Sequence, residues 1–195
     1  MIRHFDGLCK ALLEKTIDLD IFIDATNRFK YGSAACPRCG AKGRLSGYGD
    51  YRRNLVSHSR GRTKSHAVRP YRFKCASCVS THALLPDILV PYSPYTIRFK
   101  LELLAAYYER EATVEAICGR FGVAISTLYA WKKLFESHIA LLLGVLSSLK
   151  EPALAFLIGL LRSDRLSVTL RGFFLKLGFS FMQRQPGAAT RSRPP

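Results

Sequence analysis

Four patterns of hydrophobic and polar positions follow one another along the 195 residues. In residues 1–31, Leu8, Leu12 and Leu13 recur at helical spacing ahead of the short apolar segment DIFIDATNRF, which predicts an N-terminal helical segment. Over 32–92 the period shortens to two. Gly, Ser, Arg and aromatic residues dominate, and Tyr71, Phe73 and Cys75 alternate with basic residues, as in small half-buried strands. Helical spacing returns over 93–136. From 137 to 182 apolar residues crowd together in a second helical region, and the tail 183–195 has too little to bury and predicts disorder.

Within 93–136 the pattern resolves further. Ser93 is placed to cap a helix with Pro94 at its first position, and Ile97, Leu101, Leu104 and Tyr108 then share one face. Thr113 can cap a second, short helix that buries Val114, Ile117, Cys118 and Phe121, and Gly122 ends it in a tight turn. A third helix begins near Ile125 and is expected to bury Ile125, Leu128, Trp131 and Phe135. Two short helices about a glycine turn, after a longer one, form a helix-turn-helix. At about 100° per residue, Ser126, Tyr129, Ala130 and Lys133 turn away from the buried face, with Thr127 and Lys132 at its margins. Short or polar side chains ending in donors suit base edges and phosphates. An unrelated helical hairpin is the plainer alternative.

Cysteine changes the picture of the middle segment. Four of the six cysteines form two C-x2-C pairs, Cys36/Cys39 in CPRCG and Cys75/Cys78 in CASCV. Two residues between ligands let one tight turn aim both sulfurs at one ion, and two such turns complete a tetrahedron, so the spacing predicts a four-thiolate Zn2+ site. Pro37 stiffens the first turn and Gly40 permits positive φ after it; in the second turn Val79 stands where glycine is usual, which predicts strain or a different shape. A redox pair would need only one C-x-x-C, opening a helix, and neither pair does so. His82 is an alternative ligand, read more simply as a surface or strand histidine, and Cys118 as a core cysteine.

Charge adds a partner. The formal charge is +16, and Arg outnumbers Lys 19 to 11. An excess of this size points to a polyanion, and guanidinium favours phosphate. Between the cysteine pairs, residues 40–74 carry ten cations against one acid, Asp50. The segment SHSRGRTKSH at 57–66 reads as a flexible basic loop at the tip of a hairpin, so Arg52, Arg53, Arg60, Arg62 and Lys64 are expected to contact DNA phosphates. An ordinary solvated loop is the alternative.

CPRCG…YRFKCASC followed by EAICGRFGVAISTLYAWKKLF resembles the N-terminal DNA-binding part of bacterial transposases, a zinc ribbon running into a homeodomain-like helix-turn-helix. THALLPDILVPYSPYT is similar to an uncharacterised bacterial family, a domain of unknown function, with the same layout. The resemblance spans about residues 30–136. It implies Cys36, Cys39, Cys75 and Cys78 as zinc ligands and 126–133 as the base-reading segment. Ala124 departs from it, standing where Ser or Thr often caps the reading helix, a loss of about 1 kcal/mol. The fold class expected is α+β: an antiparallel zinc ribbon at 32–92, a helix-turn-helix at 93–136 and an apolar helical region at 137–182.

Catalysis is not expected. After the helix-turn-helix only residues 137–195 remain, with two acids, Glu151 and Asp164, too few for an acidic-triad transposase core. Asp18, Asp20 and Asp24 read as a solvated face, and the five histidines include no His-x-His pair. The chain is therefore expected to be a cytoplasmic, nucleoid-associated, non-catalytic protein that binds double-stranded DNA, either mobile-element-derived or a transcriptional regulator. No secretory signal or membrane span is expected. Three alternatives stay open: an RNA-binding module, a protein-interaction module, and the recognition part of a split transposase. The leucines and phenylalanines of 137–182 are expected either to pack on the helix-turn-helix or to join two chains as a homodimer.

Overall fold

A computed structural model describes residues 2–5, 33–59, 61–86, 89–145, 153–162 and 166–184. The chain is α+β and divides into two compact units, Met1–Thr96 and Ile97–Pro195.

The first unit is built of strands. A four-stranded sheet has the order β1 (Ile2–Phe5), β6 (Thr81–Pro86), β5 (Tyr71–Cys75), β2 (Leu45–Asp50). The β5 strand is antiparallel to both β2 and β6, and β1 lies parallel to β6, Ile2 opposite Ala83. The strand at 2–5 replaces irregular or helical chain at the very start of the predicted N-terminal segment. The helix predicted from Leu8, Leu12 and Leu13 lies outside the described residues, as do Asp18, Asp20 and Asp24. The alternation read in β5 is real: Phe73 and Cys75 are buried, and with Cys36, Leu45 and Leu84 they form the sheet's core.

A separate ribbon pairs β3 (Arg53–Ser59) with β4 (Arg62–Val68) through seven residue pairs. The basic stretch 57–66 is thus strand on both sides of residues 60–61, not a flexible loop. Its sequence hides this because alternation there is among polar residues; the ladder, not burial, holds it. The ribbon is anchored at its base, where Leu55 and Val68 are buried. On its far side the Val56 N–H donates to the Pro94 carbonyl (2.6 Å) and the Thr96 N–H to the Val56 carbonyl (3.0 Å). These bonds also move the first helix. Residues 94–96 are engaged with β3, so Pro94 cannot open a helix, and Ser93 closes a local turn onto the Tyr95 N–H instead.

The second unit is helical: α1 (Ile97–Tyr108), α2 (Val114–Phe121), α3 (Ile125–Val145), α4 (Ala153–Arg162) and α5 (Leu166–Leu177). Thr113 caps α2 by accepting the Ala116 N–H, and Gly122, at φ 67°, closes it with bonds to Cys118 and Gly119 carbonyls. Ala124 starts α3 with its carbonyl alone, accepting from Thr127 and Leu128. Leu128, Trp131 and Phe135 are buried as the spacing predicts, with Phe99 edge-on to both Phe121 and Trp131. Ile125 is exposed instead, because it lies in the first turn beyond the reach of α2's apolar face. The α3 helix runs from Ile125 to Val145, across residues 136 and 137. The apolar region packs within this unit, α4 on α1 and α5 on α3, burying Phe156, Leu157, Leu160, Leu170 and Phe173. No helix among the described residues is long and apolar enough to cross a membrane.

His138 of α3 sits in this core among Phe173, Phe179 and Phe181, its Nδ1 accepting the Met182 N–H at 3.0 Å. Burial, and then the charge of Lys100, hold its pKa down at about 4. The unfolded chain binds that proton near the ordinary 6.5. Between those values the unfolded state holds more protons, so stability is lost as pH falls from about 6.5 toward 4. The expected loss is about 2 kcal/mol. Urea unfolding of the helical signal at pH 7 and pH 4.5 should show it, and His138→Gln, which keeps an acceptor but does not titrate, should show a smaller difference.

Candidate metal centre and nucleic-acid interface

The two cysteine turns are built alike. In the first, the Cys36 N–H donates to the carbonyl of Ala41, five residues on (2.9 Å); in the second, the Cys75 N–H donates to the carbonyl of Ser80, again five on (3.0 Å). Gly40 and Val79 each follow the second cysteine of their pair, at φ 73° and 57°. The second turn therefore keeps the shape of the first and bears the strain. A β-branched residue in the left-handed region is disfavoured by roughly 1–2 kcal/mol. Val79 is 66% exposed and contributes little packing in return. Val79→Gly should accordingly raise the stability of the metal-loaded first unit by about 1 kcal/mol, less the extra entropy of glycine in the unfolded chain. The shift of the denaturation midpoint reads this directly. Arg38 ties the turns together through Nη1 to Ser80 Oγ at 2.6 Å.

These turns bring the four predicted thiols within 4.8 Å of one another. Cys36 and Cys78 sulfurs are 3.7 Å apart, and Cys39 and Cys75 sulfurs 3.8 Å. A tetrahedron with metal–sulfur bonds of about 2.3 Å has edges of about 3.8 Å, whereas a disulfide would bring two sulfurs to about 2.05 Å. The spacing therefore fits a metal ion such as zinc. Hydrogen bonds prepare some of the thiols to ionise. Ser80, through side chain and backbone, draws Cys78 down to about 6, and the Cys78 N–H lowers Cys75. At Cys39 the Ala41 backbone bond lowers the pKa, but burial and the neighbouring thiols outweigh it and push the group up to about 11. Cys118 is buried in α2, as expected of a core cysteine.

His82 is the strand histidine of the sequence reading, not the surface one. It is only 2% exposed, and its Nε2 lies 3.3 Å from Cys36 Sγ. Its register explains this: His82 stands opposite Phe73, on the core face of β6. An Nε2–H there can donate to a thiolate, an orienting contact of the kind that surrounds metal ligands. Spacing alone could have signalled it, since positions 82 and 84 alternate in phase with the buried side of the strand.

The predicted DNA contacts fall into three groups. On α3, Ser126, Tyr129 and Lys133 are exposed, and Thr127 is half-buried beside them. Tyr129 is 47% exposed and lies edge-on to Tyr107 of α1. Lys132 pairs with Glu136 at 2.8 Å, so its charge is largely compensated. On the ribbon, Arg62 and Lys64 alternate with Thr63 and are exposed, on one face with His66 and Ser57. Arg52 is exposed, but Arg53 is half-buried, its Nη2 donating to the Val90 carbonyl (2.6 Å) and to the Ser93 carbonyl. Arg60 lies outside the described residues.

A strand-borne four-cysteine module followed, among the described residues, by five helices, with the second and third about a glycine turn, is the class of protein these units define. Residues 36–131, just under half of the chain, match the family described as a domain of unknown function (DUF6431). The match begins at the first cysteine of the cluster and ends at Trp131, in the middle of α3. No curated protein and no solved structure matches the chain.

Proposed function

We propose that the protein is a zinc-containing, non-catalytic DNA-binding protein, mobile-element-derived or a transcriptional regulator. Cys36, Cys39, Cys75 and Cys78 hold one structural Zn2+, and α3 reads a duplex from its exposed face. The observation that carries the reading is the α3 surface: Ser126, Tyr129 and Lys133 face solvent on the second helix of a helix-turn-helix, in a chain of charge +16. The resemblance to transposase N-terminal regions supports the same role. The Arg62 and Lys64 stripe supplies sequence-independent attraction to phosphates. Two copies joined through exposed Val168 and Leu175 of α5 would present two reading helices to a repeated site.

Duplex binding measured against salt tests this. Log affinity should fall linearly with log salt, and Arg62→Ala or Lys64→Ala should each reduce the slope by about 1 while weakening binding to all duplexes about equally. A salt slope unchanged in both variants would remove the ribbon from the interface. Tighter binding to single-stranded RNA than to any duplex would favour an RNA-binding role instead.

A further inference from the structure

A cavity of about 540 Å3 opens in the first unit, lined by Arg72, Thr81, Ala83 and Leu85 from the sheet, by Tyr51 and Arg53 at the start of the ribbon, and by Tyr92. That volume suits a small molecule. Its chemistry is uneven in a particular way. Two guanidinium groups line it, and no carboxylate does. Arg72 is held in place by two rings, its Cζ 5.5 Å from the centre of Tyr48 and 5.7 Å from that of Tyr51. Its Nη2 makes a long bond to the Asp50 carbonyl (3.4 Å), and its Nε is buried without a hydrogen-bond partner among the described residues. A fixed guanidinium with an unanswered N–H is a ready donor to an anionic oxygen.

Tyr92 is the second, independent observation. Ser93 N–H donates to the Val90 carbonyl at 3.2 Å, closing a turn whose central residues are Pro91 and Tyr92. Pro91 suits the first of these, but Tyr92 has φ 59°, which favours glycine at the second. The residue is nevertheless 84% exposed, so packing does not repay the strain. A large aromatic held in strained backbone at the lip of a cationic cleft is a stacking platform that the local fold does not need.

We infer that this cleft binds one unpaired nucleotide, its phosphate at the Arg72 guanidinium and its base stacked on Tyr92. The site lies in the first unit and does not depend on base reading by α3. The same chemistry would serve a free nucleotide or an unpaired nucleotide at the end of a DNA strand.

Titration of the metal-loaded full chain with 2′-deoxyadenosine 5′-monophosphate tests it, beside binding to a blunt duplex and to the same duplex with a one-nucleotide overhang. Saturable binding of the mononucleotide is expected, tighter than that of inorganic phosphate, and weakened about tenfold by Tyr92→Gly and by Arg72→Gln. Tyr92→Gly removes the ring and relieves the strain, so it should fold at least as well as the parent. A preference for the overhang that Tyr92→Gly abolishes assigns the site to a DNA strand; an effect on the mononucleotide alone assigns it to a free nucleotide. No mononucleotide binding together with no overhang preference, or binding indifferent to Tyr92→Gly, would overturn the inference. Blunt-duplex affinity, read through α3 and the ribbon, should be unchanged in both variants, which keeps this outcome apart from that of the DNA-binding reading.

Discussion

Chelation of the metal should unfold the first unit while leaving the helical unit folded. The reason lies in what forms the core of the strands. Cys36 and Cys75 are two of the five buried residues of that core, and Cys78 packs against it, so the thiol cluster and the hydrophobic cluster are one structure. Without the ion, four thiols within 4.8 Å would be left to repel as they ionise, in a cluster whose other buried members among the described residues are Leu45, Phe73 and Leu84. Structural zinc of this type supplies on the order of 10 kcal/mol or more, beyond what so few apolar side chains can replace. Cys36→Ser with Cys75→Ser should have the same effect, since a serine hydroxyl is not a ligand at neutral pH. The second unit has its own buried set, including Leu101, Phe135 and Phe173, and should keep its far-ultraviolet helical signal. Metal analysis should find one zinc per chain. Absence of zinc, or retention of protected strand amides in the double serine variant, would falsify the assignment.

The second large effect is expected on α3. Tyr129 and Lys133 are long enough to reach base edges from a helix lying in the major groove, and both are exposed. Tyr129→Ala and Lys133→Ala should each cost about 1–3 kcal/mol on the preferred site and little on random duplex. Lys132→Ala is expected to do less, because Glu136 already compensates that charge and is itself held by the Tyr108 hydroxyl at 3.2 Å. The informative contrast is between duplexes. General electrostatic attraction would make the Lys133 loss equal on the preferred site and on random DNA, whereas reading by a defined face confines it to the preferred site. Equal losses on specific and random DNA in both variants would show that α3 contributes charge alone.

What could be read from the sequence follows physical range. The cysteine turns were legible because ligand spacing, turn geometry and chemistry all act within a few residues, and the same holds for Thr113 and Gly122 around α2. Burial of Leu128, Trp131 and Phe135 followed from helical period. What escaped depends on distant partners. Pro94 has the local signature of a helix start, but its carbonyl and the Thr96 N–H are claimed by Val56, so the helix waits until Ile97. The ribbon at 57–66 is polar on both faces and was mistaken for a loop, since its order comes from cross-strand pairing such as Ser57 with Lys64. The parallel pairing of Ile2–Phe5 with β6 joins residues some eighty positions apart, which no local pattern reports. The alternation of 82 with 84 signals that His82 is buried, but its partner Cys36 lies on another turn 46 positions away, which no local pattern reports.

Binding-site selection from random duplex DNA with the purified, zinc-loaded chain tests the central claim most directly. The account predicts enrichment of a defined sequence, bound more weakly by Tyr129→Ala and Lys133→Ala and lost when the metal is removed. Recovery of no sequence preference by a folded, zinc-loaded protein, or a preference untouched by both α3 variants, would contradict it.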